Sequence, residues 1–276
     1  RQNLGLDVLG KRENGYHDVR MVMQTVGIYD RLIITKIPED EIRININLKF
    51  LPVNENNLIY KAYKLMKDEY RFSGGIDVDL NKFIPIAAGM AGGSTDAAST
   101  MFAINRLFEL GLSNEELMKQ GVKIGADVPY CIMRGTALAE GIGEKLTKLS
   151  PMPHCHIVVA KPPINVSTKM VYESLDAGAI TKHPDIDAII EAINEGDVKK
   201  VAERMGNVLE DVTVPMYPVI AKIKNDMISQ GAYNAMMSGS GPTVFGIFPD
   251  EQTALKCKEY LKAQEDARQV YITETF

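Results

Sequence analysis

The sequence predicts an α+β fold from the segregation of its periodicities, and length and composition set the domain count and the globular class. Strand-type and helix-type periodicities occur in separate blocks, not in the regular alternation of a doubly wound parallel sheet. The chain has 276 residues, enough for one large domain or two ordinary ones. Hydrophobic residues make up 45% and charged residues 24%, the balance of a soluble globular protein and not of a disordered one.

The elements follow in order. Leu4, Leu6 and Val8 alternate with Gly5 and Asp7, which predicts a first strand. Val19 to Ile37 is rich in Val, Ile, Thr and Met and has room for two more. Ile42, Ile44, Ile46 and Leu48 alternate with polar partners, as in a half-buried antiparallel strand. The period then changes: Leu58, Ile59, Ala62, Leu65 and Met66 share a helical face. Ile76, Val78 and Leu80 return to alternation, and a glycine-rich stretch leads into a long helix over 94–110. A further helix starts at Ser113, where Ser113 and Glu116 have the spacing of a capping box.

Pro151 and Pro153 interrupt any periodic pattern, so the division expected is 1–150 and 151–276. Beyond it the sequence predicts a strand over 156–160 and helices over 168–175, 185–194, 197–210 and 219–230. The chain then reads strand (232–237), glycine-rich turn (238–242), strand (243–248), helix (250–264) and strand (269–273).

Composition excludes several classes of function. Thirty-one basic against 36 acidic residues give a formal net charge of −5, a poor balance for wrapping nucleic acid or lying on an anionic membrane. No apolar run approaches the ~18 residues of a spanning helix. The opening Arg1-Gln2-Asn3-Leu4-Gly5 lacks the apolar core and cleavage site of a secretory signal. Cys131, Cys155 and Cys257 form no Cys-x-x-Cys pair, which predicts reduced thiols in a cytoplasmic protein, neither a disulfide scaffold nor a zinc cluster.

The most informative segment is Pro85-Ile86-Ala87-Ala88-Gly89-Met90-Ala91-Gly92-Gly93-Ser94-Thr95. Its glycines let backbone come close to a ligand. Free amides and the positive end of the following helix would face an anion such as phosphate. The hydroxyls of Ser94 and Thr95 could cap the helix, touch a phosphate or hold a magnesium ion. The loop is neither a Walker A motif nor a dinucleotide fingerprint. Taken alone it is equally a tight strand-to-helix turn. Two more segments bear on it. GADVPY (125–130) places Asp127 in a turn after a helix, either bonding its own backbone or available to take a hydroxyl proton. MSGSGPTVF (237–245) is a hairpin loop or a second backbone wall against phosphates.

Together the three segments resemble the GHMP kinases, named for galactokinase, homoserine kinase, mevalonate kinase and phosphomevalonate kinase. The similarity is strongest to the branch that acts on a cytidine-diphosphate-linked sugar alcohol. It is carried by KRENGYHDVRMVMQTVGIYD (11–30), NNLIYKA (56–62), PIAAGMAGGSTDAA (85–98), GADVPYC (125–131) and MSGSGPTVFG (237–246), with Gly15-Tyr16-His17 the most specific. The resemblance implies the GHMP kinase fold: a ribosomal-protein-S5-like N-terminal domain and a ferredoxin-like C-terminal domain. It also implies ATP and Mg2+ as cofactors and phosphorylation of the 2-hydroxyl of CDP-methylerythritol, on the path of non-mevalonate isoprenoid synthesis. The partner implied is that small molecule, with no nucleic acid or membrane, and a monomer or homodimer.

The same resemblance assigns roles. Asp127 matches the catalytic aspartate. Residues 85–95, with Ser238 and Gly239, would cradle ATP phosphates, and Ser94 would be the metal contact. Asn57 and Lys82 match positions near adenine. Tyr16 would stack on cytosine, His17 would hydrogen-bond its edge, and Tyr172 would lie on its other face. Asn3 and Thr168 match substrate-binding positions. The family opens Pro-Ala-Lys-Ile-Asn-Leu, so Arg1 falls where a lysine is expected, and most of that first strand is missing upstream. Arginine keeps the charge but not the compact ammonium. The expectation is a truncated or altered form with weak activity. Other readings are a homoserine or mevalonate type of kinase, or a GHMP-fold protein that binds a ligand without turnover. Met90 and Ala91 replace the commoner Leu and Gly of the loop, changes that phosphate binding should tolerate.

Overall fold

The computed structural model describes residues 1–276. In chain order its main elements are β1 (Gln2–Lys11), β2 (His17–Gln24), β3 (Arg31–Ile37), β4 (Ile42–Ile46), α1 (Leu58–Tyr70), β5 (Gly75–Asn81), α2 (Gly92–Leu107), α3 (Asn114–Gly121), α4 (Val128–Met133), β6 (Thr136–Gly141), β7 (Lys145–Lys148) and β8 (His156–Lys161). There follow α5 (Thr168–Ser174), α6 (Ile186–Glu195), α7 (Val198–Arg204), β9 (Gly206–Asn207), α8 (Glu210–Met216), α9 (Val219–Ser229), β10 (Asn234–Met237), β11 (Val244–Phe248), α10 (Glu251–Ala263) and β12 (Gln269–Glu274). The chain packs as two units built from discontinuous segments. One comprises Arg1–Gly27, Pro85–Met90 and Gly135–Phe276; the other comprises Ile28–Ile84 and Ala91–Arg134.

The larger unit holds two sheets. The first has the order β7-β6-β2-β1-β9. β1 lies between β2 and the short β9, and Gln2 to Val8 are all buried, so the alternation of Leu4, Leu6 and Val8 does not mark an exposed face. Gly5 shows why: a Cβ there would meet the Cδ1 atoms of Ile186 and Ile189 on α6 at 2.7 Å. The second sheet, β10-β11-β8-β12, is antiparallel throughout and carries α9 and α10. The helix expected over 197–210 is interrupted. Gly206 and Asn207 leave α7 to pair with β1 as β9, and the Asn207 amide donates to the carbonyls of Met237 (3.0 Å) and Gly239 (2.8 Å). Three hydrogen-bonding commitments at this point outweigh continued helix.

The smaller unit is a three-stranded sheet of order β3-β5-β4, with α1 and α2 packed together and α4 against α2 and α3. Its core includes Ile59, Met66, Ile76, Val78, Met101 and Ile104. β4 runs parallel to β5, not antiparallel as its pattern suggested. α1 crosses over between them, and alternation reports half-burial but not strand direction. The capping box at Ser113 is present, with Glu116 closing it. α2 begins two residues earlier than expected because Ala91 takes the left-handed conformation (φ 56°) and turns the chain there.

Candidate active site

The larger unit brings the two glycine-rich segments into contact. The Ser238 hydroxyl donates to the Gly89 carbonyl at 3.0 Å. A Cβ on Gly89 would lie 2.1 Å from the Ser238 carbonyl oxygen, and Gly89 has φ +68°. Only glycine tolerates that approach and that conformation. Gly239 lies against Gly89 from the other side of the turn, and the Asn207 amide fixes the carbonyls of that turn. The Arg1 backbone nitrogen donates to the Met90 carbonyl at 3.1 Å, and its guanidinium bonds the Asn3 side chain. Arg1 therefore stands beside residues 85–90. The Asn3 amide also reaches Met21 Sδ at 3.3 Å.

A second group in this unit gathers around His17. The hairpin from β1 to β2 closes through Gly15 (φ +84°), with the Arg12 amide donating to the Tyr16 carbonyl at 2.7 Å. That turn leaves Tyr16 58% exposed and tucks His17 to 6%. The His17 ring lies 5.2 Å from the Tyr172 ring at 41°. Burial, and secondarily the Lys11 charge, hold its pKa below the ordinary histidine value, so the ring is neutral. Its Nε2 is buried with no protein partner. Thr168 opens α5, where its hydroxyl and that of Ser240 are 2.7 Å apart.

The smaller unit holds Ala91 to Thr95, Asn57, Lys82 and Asp127. No side chain caps α2 at Ala91, so its first amides and the positive end of the helix dipole are available to an anion. The Thr95 hydroxyl is used internally: it donates to the Ala91 carbonyl at 2.9 Å and lies 3.4 Å from Cys131 Sγ. The Ser94 hydroxyl is half-buried and bonds no protein group. Asp127 is the N-cap residue of α4, but its carboxylate does not cap that helix. Asn57 caps α1 through Ile59 N (2.8 Å) and donates to the Pro52 carbonyl (2.8 Å), so its amide is spent locally. The Lys82 ammonium is 2.5 Å from Asp30 and 2.7 Å from Asp96, all three side chains nearly fully buried. Sequence reasoning missed Asp30, Asp96 and Asn207. Asp96 alone carried a signal, lying four residues after Gly92 in the same motif.

A nucleotide-independent metal cluster is absent: no group of three or more His, Cys, Asp or Glu residues is placed to hold an ion. Uncapped amides at the start of a helix that follows a glycine loop suit an anion such as a phosphate.

The comparisons agree with that chemistry. The family model "GHMP kinases N terminal domain" matches residues 57–135, and "GHMP kinases C terminal" matches 189–267. The chain belongs to the GHMP kinases. A 4-diphosphocytidyl-2-C-methyl-D-erythritol kinase of Lachnospira eligens is 71% identical over 274 residues, covering 99% of this chain and 95% of the relative. The protein of that name from Lachnoclostridium phytofermentans is 53% identical, covering 99% and 94%. A crystal structure of a 4-(cytidine 5'-diphospho)-2C-methyl-D-erythritol kinase superposes with a TM-score of 0.85 at 28% identity, covering 99% and 96%. Within the GHMP kinases the chain thus falls among the 4-diphosphocytidyl-2-C-methyl-D-erythritol kinases. A mevalonate kinase of L. major shares the fold, with a TM-score of 0.77 at 17% identity over 99% of this chain and 94% of that one.

Proposed function

We propose that the chain transfers the γ-phosphoryl group of ATP to the 2-hydroxyl of 4-diphosphocytidyl-2-C-methyl-D-erythritol, giving ADP and the 2-phosphate, in non-mevalonate isoprenoid synthesis. The observation that carries this choice of substrate is His17: a buried, neutral imidazole with an unpartnered Nε2, beside the Tyr172 ring. Leaving a buried polar atom unpaired costs about 1–3 kcal/mol. A base edge would satisfy it, and Tyr16 and Tyr172 would supply stacking faces. Mevalonate and homoserine offer no base.

The other assignments follow from each residue's surroundings. Residues 85–95, with Ser238 and Gly239, hold the phosphates of ATP through backbone amides. Asp127 orients the attacking hydroxyl and accepts its proton. Arg1 supplies positive charge beside Met90, and Asn3 holds it by its side chain. Thr168 contacts substrate from the start of α5. Asn57 and Lys82 support the adenine side through the chain they fix, since their polar atoms are bound within the protein. Magnesium fits this donor set: the unused Ser94 hydroxyl is one neutral oxygen, and magnesium is usually held by one or two protein groups together with phosphates. When bound it neutralises charge on the phosphate oxygens. No helix is long and apolar enough to cross a membrane, and three buried free cysteines fit a reducing cytoplasm.

The test is ADP release from Mg-ATP with the CDP-linked substrate, mevalonate and homoserine in parallel. Turnover is expected with the first alone. Comparable turnover with mevalonate or homoserine would overturn the substrate assignment.

A further inference from the structure

Buried ion pairs are poor stabilisers, because desolvation offsets most of the attraction and well-packed apolar residues do as well. The smaller unit nevertheless buries two carboxylates and one ammonium together, with side-chain exposures of 1% for Asp30, 5% for Lys82 and 6% for Asp96. One oxygen of Asp96, Oδ1, is buried with no partner at all. Stability does not account for such a cluster, but its position does. Asp30 Oδ1 accepts from the amides of Phe83 (2.6 Å) and Ile84 (2.9 Å), the last residues before Pro85. Asp96 belongs to the opening of α2, just after the loop. Lys82 joins the two carboxylates, and its Nζ would lie 3.2 Å from a Cβ on Gly92. The lead-in to the phosphate loop and its exit are therefore tied to one buried cation.

We propose that Asp30 and Asp96, acting through Lys82, are positioning residues for ATP: they pin Lys82–Ile84 to the first turns of α2 and so fix where the amides of Gly92 to Ser94 point. This rests on the reading of 85–95 as the ATP phosphate loop. The cluster sets nucleotide affinity and leaves the chemistry at Asp127 and the recognition of the CDP group alone. Asp96 is the variable member, since Asp30 keeps its two backbone amides without Lys82.

The experiment compares wild type with Asp96→Asn at pH 8, where the Asp96 carboxylate is ionised, so the substitution keeps shape and removes the charge that holds Lys82. Equilibrium binding of ATP and steady-state kinetics are measured together, with circular dichroism to confirm folding. A small misplacement of binding groups is costly, so the dissociation constant and KM for ATP should rise about tenfold. At saturating ATP, kcat and the KM for the CDP substrate should stay within about twofold. Amides 92–95 should also exchange hydrogen faster in the variant. If Asp96→Asn does not fold, Asp96→Ser, which also removes the carboxylate but leaves room for water beside Lys82, receives the same measurements. ATP binding unchanged in a folded variant would overturn the proposal, as would a parallel loss of kcat and both KM values. Wild-type protein that does not bind ATP would overturn the loop assignment itself, and this proposal with it.

Discussion

Asp127 precedes α4 by one residue, yet its carboxylate is not used to cap it. A capping aspartate exchanged for asparagine changes stability a little, whereas one that takes a proton in the transition state changes rate. Asp127→Asn should therefore lower kcat by about 10²–10⁴-fold while the ATP dissociation constant stays within about twofold. Pre-steady-state phosphoryl transfer and ATP titration would show this, and a variant with wild-type kcat would remove Asp127 from the chemistry. His17 makes a different kind of prediction, because its unpartnered Nε2, beside the Tyr172 ring, is proposed to bind the substrate's base and not the reacting atoms. His17→Ala should raise the KM for the CDP substrate about tenfold, the worth of one buried hydrogen bond, without altering ATP affinity. Equal KM values in variant and wild type would mean that His17 is only a turn histidine.

At the scale of elements, two loops distant in sequence depend on each other. Gly89 has φ +68°, and a methyl there would sit 2.1 Å from the Ser238 carbonyl oxygen. Gly10 lies at an irregularity of β1 and has nothing within 4 Å of its would-be Cβ. Gly89→Ala should destabilise the fold by at least about 2 kcal/mol, and Gly10→Ala by less than about 1 kcal/mol. Denaturant midpoints measure both, and similar midpoints would mean that the turn shifts freely. The sequence made both glycine segments visible, because such runs between strands and helices are local signals. It could not show that they touch, since residues 89 and 238 meet only through sheet order. The same holds for Asp30, whose neighbours at 82–84 come from the far end of the β3–β5 pairing. Ser113 and Glu116 were legible because a capping box is contained in four residues. The parallel sense of β4 and the break at Gly206 were not, because both depend on partners elsewhere in the chain.

At the scale of the whole molecule, the cluster around Asp96 ties stability to pH. Burial, opposed by Lys82 and reinforced by Asp30, pushes the Asp96 carboxyl up to about 7. The unfolded chain would hold that proton only below the ordinary aspartate value of about 3.9. Between these values the folded state binds more protons than the unfolded one, so rising pH favours unfolding until about pH 7, beyond which the effect is complete. His17 acts with the opposite sign. Burial lowers its pKa below 6.5, so the folded state binds fewer protons near that pH and stability rises as pH increases through it. The carboxylates held down by arginine, histidine, serine or threonine partners, such as Asp18, Asp187, Glu116, Asp250 and Glu274, contribute stability that is lost only as pH falls into the acid range. The window from pH 5 to 8 thus contains two opposed titrations, and the raw pH profile of the wild type mixes them. Subtracting the profile of Asp96→Asn, which has no carboxyl to titrate at that position, isolates one. Relative to the variant, wild-type unfolding free energy should fall steadily from pH 5 to 7 and level off above. Urea melts at half-unit pH intervals supply both profiles. Parallel curves for the two proteins would mean that the Asp96 carboxylate is as easily ionised in the folded chain as in the unfolded one.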